Sequence, residues 1–158
     1  MDNNAFENVK DQIGSCGIWC GSCVVGNGVL RELTRRYEEI ITSYGLEKWA
    51  PKDFDYGEFS KGLASIQRIP LCQGCLKGGG REDCEMRTCA LSKGIQNCLE
   101  CENSHECKHG EILDKMRSGA LSAGLFVKTG QAGQDESLEY WISRLKSKWP
   151  CCILFKND

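Results

Sequence analysis

Twelve of the 158 residues are cysteine, and their spacing is the most informative chemistry in the chain. Cys72-x2-Cys75 and Cys98-x2-Cys101 are two-thiol units separated by 22 residues. Such a unit supplies two sulfurs from one tight turn, and two units together can close a tetrahedral zinc site. Cys84, Cys89 and Cys107 lie between and after the two units and offer ligands for a second site. Ligands of double-zinc modules are often interleaved, so sequence order leaves open which thiols share an ion. Any one of these residues alone reads as a small buried apolar side chain. Seven within 36 residues do not.

The first cluster has a different character. Cys16-Gly-Ile-Trp-Cys20-Gly-Ser-Cys23 has Cys-x3-Cys-x2-Cys spacing. Three thiolates on one short loop can hold three irons of a [4Fe–4S] cluster and leave the fourth open. The same spacing resembles the radical-SAM signature, but that chemistry needs a large β/α barrel. This chain has neither the length nor the alternating strand–helix pattern. The plainer reading is a knuckle that shares ligands with the later cluster, with Gly14, Gly17 and Gly21 permitting a tight backbone. His105 and His109 flank Cys107, so a mixed Cys/His site is an option. Each also reads as an exposed residue near a helix start. Cys151-Cys152 is a vicinal pair, poorly suited to one ion. Burial beside Trp149, Ile153 and Leu154 is its expected role.

The segments between the clusters must position them. From Val25, apolar residues recur at Val29, Leu33, Tyr37, Ile40, Ile41 and Tyr44, which predicts a core-facing helix from about 24 to 44 with Gly45 as its stop. Phe59, Leu63 and Ile66 predict a second, shorter helix ended by Pro70. Residues 84–93 and 110–117 read as two more, with Gly94 and Gly119 as stops and Ile112, Leu113 and Met116 facing inward. Leu125-Phe126-Val127 reads as a strand or a covering loop. A last helix from about 136 to 148 is predicted, with Asp135 as N-cap and Leu138, Trp141, Ile142, Leu145 and Trp149 as its apolar stripe. The long helix and this last one should form the scaffold, with the Cys-rich loops stapled against them. The expected fold is mainly α, in one domain spanning residues 1–158.

Composition sets the remaining bounds. The chain is 41% hydrophobic and 27% charged, with a net charge of -2. Nucleic-acid and membrane-surface binders usually carry a basic excess, which is absent here. The polar, acidic start lacks the features of a secretory signal, and no stretch approaches the ~18 apolar residues of a membrane span. A cytoplasmic location is therefore expected. In a reducing compartment clustered cysteines serve more often as metal ligands than as disulfides.

The motifs together resemble a bacterial and archaeal family of small proteins with no assigned function. Its Cys-Gly-Leu-x-Cys-x-x-Cys opening is similar to Cys16–Cys23, with Ile18 in place of the family's Leu. Cys72-Gln-Gly-Cys75 resembles its second unit. Cys84-Glu-Met-Arg-Thr-Cys89-Ala90, Lys93-Gly-Ile95, Cys98-Leu-Glu-Cys101 and Cys107 resemble the rest. Asn103-Ser-His-Glu106 stands where the family often has an aromatic-proline stretch. The likeness spans about residues 14–116. It implies metal binding, usually presumed to be zinc, by ten candidate ligands: Cys16, Cys20, Cys23, Cys72, Cys75, Cys84, Cys89, Cys98, Cys101 and Cys107. It implies no catalytic residue.

No nucleophile elbow, phosphate-binding loop or HExxH helix is present, and the chain has only two histidines. The expected function is a binding or adaptor module holding about two zinc ions and engaging another protein. The alternative is an iron–sulfur or thiol redox protein built on the Cys16/Cys20/Cys23 loop. Metal storage or sensing is a third reading, which requires exchangeable ions.

Overall fold

The computed structural model describes residues 5–130, 136–149 and 151–154. The fold is mainly α, as the periodicity predicts. Its helices in chain order are α1 (Val29–Ser43), α2 (Leu46–Trp49), α3 (Tyr56–Gln67), α4 (Glu85–Ser92), α5 (Gly110–Ser122), α6 (Leu138–Lys148) and α7 (Cys151–Leu154). Single 3₁₀ turns occupy Cys20–Ser22, Cys75–Lys77, Cys98–Glu100 and Ser104–Glu106.

The largest core cluster lies where the first cysteine loop meets α1 and α6. Trp19 is fully buried, with Phe6, Val29, Trp141, Leu145 and Leu154 around it. Its ring centroid is 5.8 Å from that of Trp141, 5.9 Å from Phe126 and 6.0 Å from Phe6. A residue inside the cysteine loop is thus the centre of the apolar packing. Helices α1 and α6 both reach this core, through Val29 and through Trp141 and Leu145, but the main helical partner of α1 is α3 and not the predicted α6, because only the first turn of α1 lies at the core. A smaller cluster joins Cys16, Cys84, Met86 and Leu113, flanked by Ile18, Cys98 and Met116.

Helix α1 begins later than the apolar spacing predicts. Residues 24–28 form a turn, in which Asn27 is buried and donates from its amide to the Gly21 carbonyl at 2.9 Å, while accepting from the Val29 N–H at 3.0 Å. Gly28 at φ 91° completes the turn. The outer face of α1 is laced by Glu32, which accepts from Arg35 at 2.6 Å and Arg36 at 3.1 Å. The apolar stripe of α1 is only partly core. Val29 and Ile41 are buried, but Tyr37, Ile40 and Tyr44 are 60%, 54% and 69% exposed. The physical reason is that α1 outruns the protein's core. Its main partner is α3, where Tyr37 meets Phe59 edge-on at 6.5 Å. Trp49 and Phe54, on the connection between α1 and α3, are exposed as well.

The predicted α3 is present, opened by Asp55, which accepts from the Glu58 N–H at 3.0 Å. Helix α5 is longer than predicted. Gly119 sits within it, and the stop is Gly124 at φ 79°, with Leu125 N–H returning to the Ala120 carbonyl at 2.9 Å. Leu113 is buried and Met116 packs inward as predicted, but Ile112 is exposed. Residues 125–128 run over the first cysteine loop. They are held by one bridge, Ile18 to Val127, by Trp19 N–H to the Phe126 carbonyl at 2.9 Å, and by Lys128 N–H to the Gly17 carbonyl at 2.8 Å. Helix α6 is capped by Ser137, whose hydroxyl accepts from the Tyr140 N–H at 3.2 Å. The predicted cap, Asp135, lies outside the described residues. No helix among the described residues is long and apolar enough to cross a membrane.

Candidate metal centre

The Cys-x2-Cys units have the local form that their spacing demands. Cys20–Cys23 and Cys98–Cys101 are each a 3₁₀ turn in which the second cysteine's N–H returns to the first one's carbonyl, at 3.2 and 3.4 Å. Cys72–Cys75 is built differently. Gly74, at φ 88°, turns the chain so that its own N–H points at the Cys72 sulfur at 3.3 Å. All ten cysteines described are free thiols.

Two groupings emerge from the fold. In the first, the Cys72–Cys75 knuckle docks on the Cys20–Cys23 loop. Cys72 N–H donates to the Gly26 carbonyl at 3.1 Å, and Gly26 N–H donates to the Cys23 sulfur at 3.4 Å. A Cβ on Gly26 would lie 2.9 Å from Cys72 Cβ and 3.6 Å from Cys23 Sγ, so only glycine lets these two cysteines approach. The Cys75 amide serves the Cys20 sulfur. Cys16 stands beside this group, since a Cβ on Gly14 would be 3.6 Å from its sulfur and 3.5 Å from that of Cys75.

The second grouping lines a cavity of about 410 Å³ between α4, α5 and the 95–107 loop. Cys89 from α4, Cys98, Cys101 and Cys107 all reach it, as do Lys93, His109 and Arg117. Lys93 Nζ lies 3.2 Å from the Cys101 sulfur. His109 Nδ1 pairs with Glu85 at 2.8 Å. His105, the other histidine considered a ligand, is exposed on its 3₁₀ turn. Cys84 does not line the cavity. It is buried with Cys16 in the small apolar cluster.

The surroundings tune the thiols unequally. Burial pushes the Cys16 thiol up, against the pull of the Ile18 amide. It pushes Cys20 up to about 11, opposed by the Cys75 amide. Burial also raises Cys98, with the Arg117 guanidinium working the other way. Cys101 is lowered, because Lys93 donates a hydrogen bond to its sulfur. Such amides and cations favour the thiolate, the form that binds metal.

Among the described residues no three His, Cys, Asp or Glu side chains are gathered closely enough to hold a metal ion as they stand. The thiols are neighbours within each group but do not converge on a point. The donor set nevertheless suits a thiophilic ion. It is all sulfur, it comes from turns that place paired thiols side by side, and backbone amides are already aimed at Cys20, Cys23 and Cys72.

Gln12 is the positioning residue that sequence reasoning missed. It is buried, and its Nε2 donates to the Asn8 carbonyl at 2.7 Å and the Gln73 carbonyl at 2.8 Å. Its Oε1 accepts from Leu76 N–H at 3.3 Å, and its carbonyl accepts from Cys20 N–H at 2.9 Å. One residue thereby ties the first loop to the second knuckle. A model of a family of proteins of unknown function, DUF3795, matches residues 12–111. The chain belongs to that family. The DUF3795 span opens at Gln12 and contains all ten thiols and Lys93. Arg117 lies just beyond it. No curated protein and no solved structure matches the chain.

Proposed function

We infer that this DUF3795 protein is a metal-stapled binding module and that zinc is the ion its thiols take, about two per chain. The observation that supports this reading is that thiols from distant segments lie near one another. Cys16, Cys20 and Cys23 neighbour Cys72 and Cys75, while Cys89, Cys98, Cys101 and Cys107 line one cavity. Two Cys₄ sites are the chemistry of structural zinc, and the ion would supply cross-links that a small core with irregular loops otherwise lacks. Free thiols of this number suit a reducing compartment, the cytoplasm. The exposed aromatic face of the α1–α3 hairpin, with Tyr37, Tyr44, Trp49 and Phe54, suits contact with another protein.

Elemental mass spectrometry on protein purified without oxygen tests the reading. About two zinc ions and no iron per chain is the expected result. Iron near four per chain would replace it with the iron–sulfur alternative and make Cys16, Cys20 and Cys23 the residues to mutate. Neither metal would refute metal binding altogether.

A further inference from the structure

The α1–α3 hairpin leaves a continuous apolar face exposed. Tyr37, Ile40 and Tyr44 follow one another at intervals of three and four residues, so they share one side of α1. From Tyr37 the face runs on through ring contacts. Tyr37 meets Phe59 at 6.5 Å, Phe59 meets Phe54 at 5.2 Å and Phe54 meets Tyr56 at 4.9 Å. At the other end Trp49 donates from Nε1 to the Tyr44 carbonyl at 2.8 Å. Trp49 is 67% exposed and Phe54 48%. A pair of helices cannot bury such a stripe by itself, whereas two pairs set face to face can.

The stripe is suited to its own copy. Tyr37, Ile40 and Tyr44 read as tyrosine, isoleucine, tyrosine from either end of α1. A two-fold axis beside Ile40 therefore brings each Tyr37 to Tyr44 of the second copy and each Ile40 to its equivalent, the reciprocity that an isologous contact requires. The surrounding charge permits it as well. Residues 46–61 carry three lysines and four carboxylates, so the face neither repels its own copy nor favours a strongly charged partner. The area is sufficient. Full burial of an aromatic side chain covers about 150–250 Å², so the exposed parts of Tyr37, Tyr44, Trp49 and Phe54 amount to roughly 400–600 Å² per copy. Two copies thus supply roughly 800–1,200 Å² from four aromatics each, before Ile40 and the rim are added, against about 1,200–2,000 Å² for a stable interface. We propose that two copies of this chain pair their α1–α3 hairpins through this face, with α1 antiparallel to its equivalent about a two-fold axis at Ile40. This rests on the binding-module reading above and names the partner of its aromatic face.

Sedimentation velocity of zinc-loaded full-length protein, over a concentration series through the micromolar range, tests the pairing. Twice the chain mass is expected at the upper end. Ile40→Asp sets like charges against each other at the axis and should weaken association at least about 100-fold. Tyr37→Glu and Tyr44→Lys should each weaken it, and the double variant should recover most of the loss, because each new carboxylate then faces a new ammonium across the axis. Far-ultraviolet circular dichroism should be unchanged throughout. Tyr44 is the most exposed residue of the stripe, so its variant keeps the test decisive even where Ile40→Asp does not fold. A monomer at every concentration, a dimer indifferent to both Ile40→Asp and Tyr44→Lys, or a double variant no better than its parents would overturn the inference and leave zinc binding intact. A dimer that responds as expected but carries no metal would uphold the inference and refute the zinc reading instead.

Discussion

Gln12 offers the sharpest check on how the first thiol group is assembled. It is 6% exposed and has no thiol, yet it holds the two knuckles of the first group together. Replacing it with alanine leaves the Asn8 and Gln73 carbonyls and the Leu76 N–H without their side-chain partner. Each lost contact in a partly buried setting costs about 1 kcal/mol, so Gln12→Ala should destabilise by about 3 kcal/mol. For a chain of this length that is roughly 6–12 °C in Tm. Urea unfolding monitored by tryptophan fluorescence measures it, in zinc-loaded and metal-free protein alike. The loss should appear in both forms, because the hydrogen bonds link backbone to side chain and involve no sulfur. Gln12→Glu should be at least as damaging at neutral pH, since a carboxylate replaces the amide donor facing two carbonyls. A Gln12→Ala protein within about 0.5 kcal/mol of wild type, the range of ordinary surface substitutions, would refute the bridging role.

Gly74→Ala should be severe, because its Cβ would collide with the Gln12 amide and the residue sits at φ 88°. Placed on Gln12→Ala, the same change should cost only the backbone strain of about 1 kcal/mol, and a double-mutant cycle that proved additive would refute the collision. Trp19→Phe keeps the ring packing but orphans the Lys10 carbonyl, which accepts from Nε1 at 2.7 Å, so a loss of about 1–3 kcal/mol in chemical denaturation is expected. Because burial holds Cys20 at about 11, above its ordinary 9.0, its stabilising contribution to the metal-free fold is whole below pH 9 and lost as pH rises to 11. The urea midpoint of metal-free protein should fall across that window, and a flat or rising midpoint would contradict the burial. Cys16→Ala and Cys84→Ala, which remove the two thiols buried in the small apolar cluster, should each leave the zinc content at two by elemental analysis, and loss of an ion from either would make that thiol a ligand.

Helix type and order were legible in the sequence because apolar periodicity and cap chemistry are local. Gly45 ends α1 in the left-handed conformation that its residue type favours. What failed was the exposure of Tyr37, Ile40 and Tyr44. Periodicity tells which residues share a helix face but not whether another element covers it, and α1 extends beyond the core. The end of α5 was misplaced for a related reason. Gly119 is a possible stop, but packing of Ala120 carries the helix one turn further. The cysteine motifs announced paired thiols and their turns. They could not announce Gln12 or Arg117, because a lone glutamine and a lone arginine carry no spacing signal. Their roles come from contacts 61 and 101 residues away along the chain.

The Cys16–Cys23 loop shows how topology narrows a motif that spacing alone leaves open. Three cysteines on one loop suggest three ligands to one centre, and the fold gives each different surroundings. Cys23 lies against Cys72, Cys20 is served by the amide of Cys75, and Cys16 turns into the apolar cluster with Cys84. The loop also touches both groups of thiols. Ser15 accepts from the Cys98 N–H at 2.8 Å on one side, while Arg117 grips the Cys16 carbonyl from the wall of the cavity. Residues 15 and 16 therefore tie the backbone of the first group to the second. Trp19 anchors the same loop in the core, where close packing leaves it little room to shift. The loop thus joins the two thiol groups, with Cys20 and Cys23 beside the Cys72–Cys75 knuckle on one side and Cys16 as the buried link to the other.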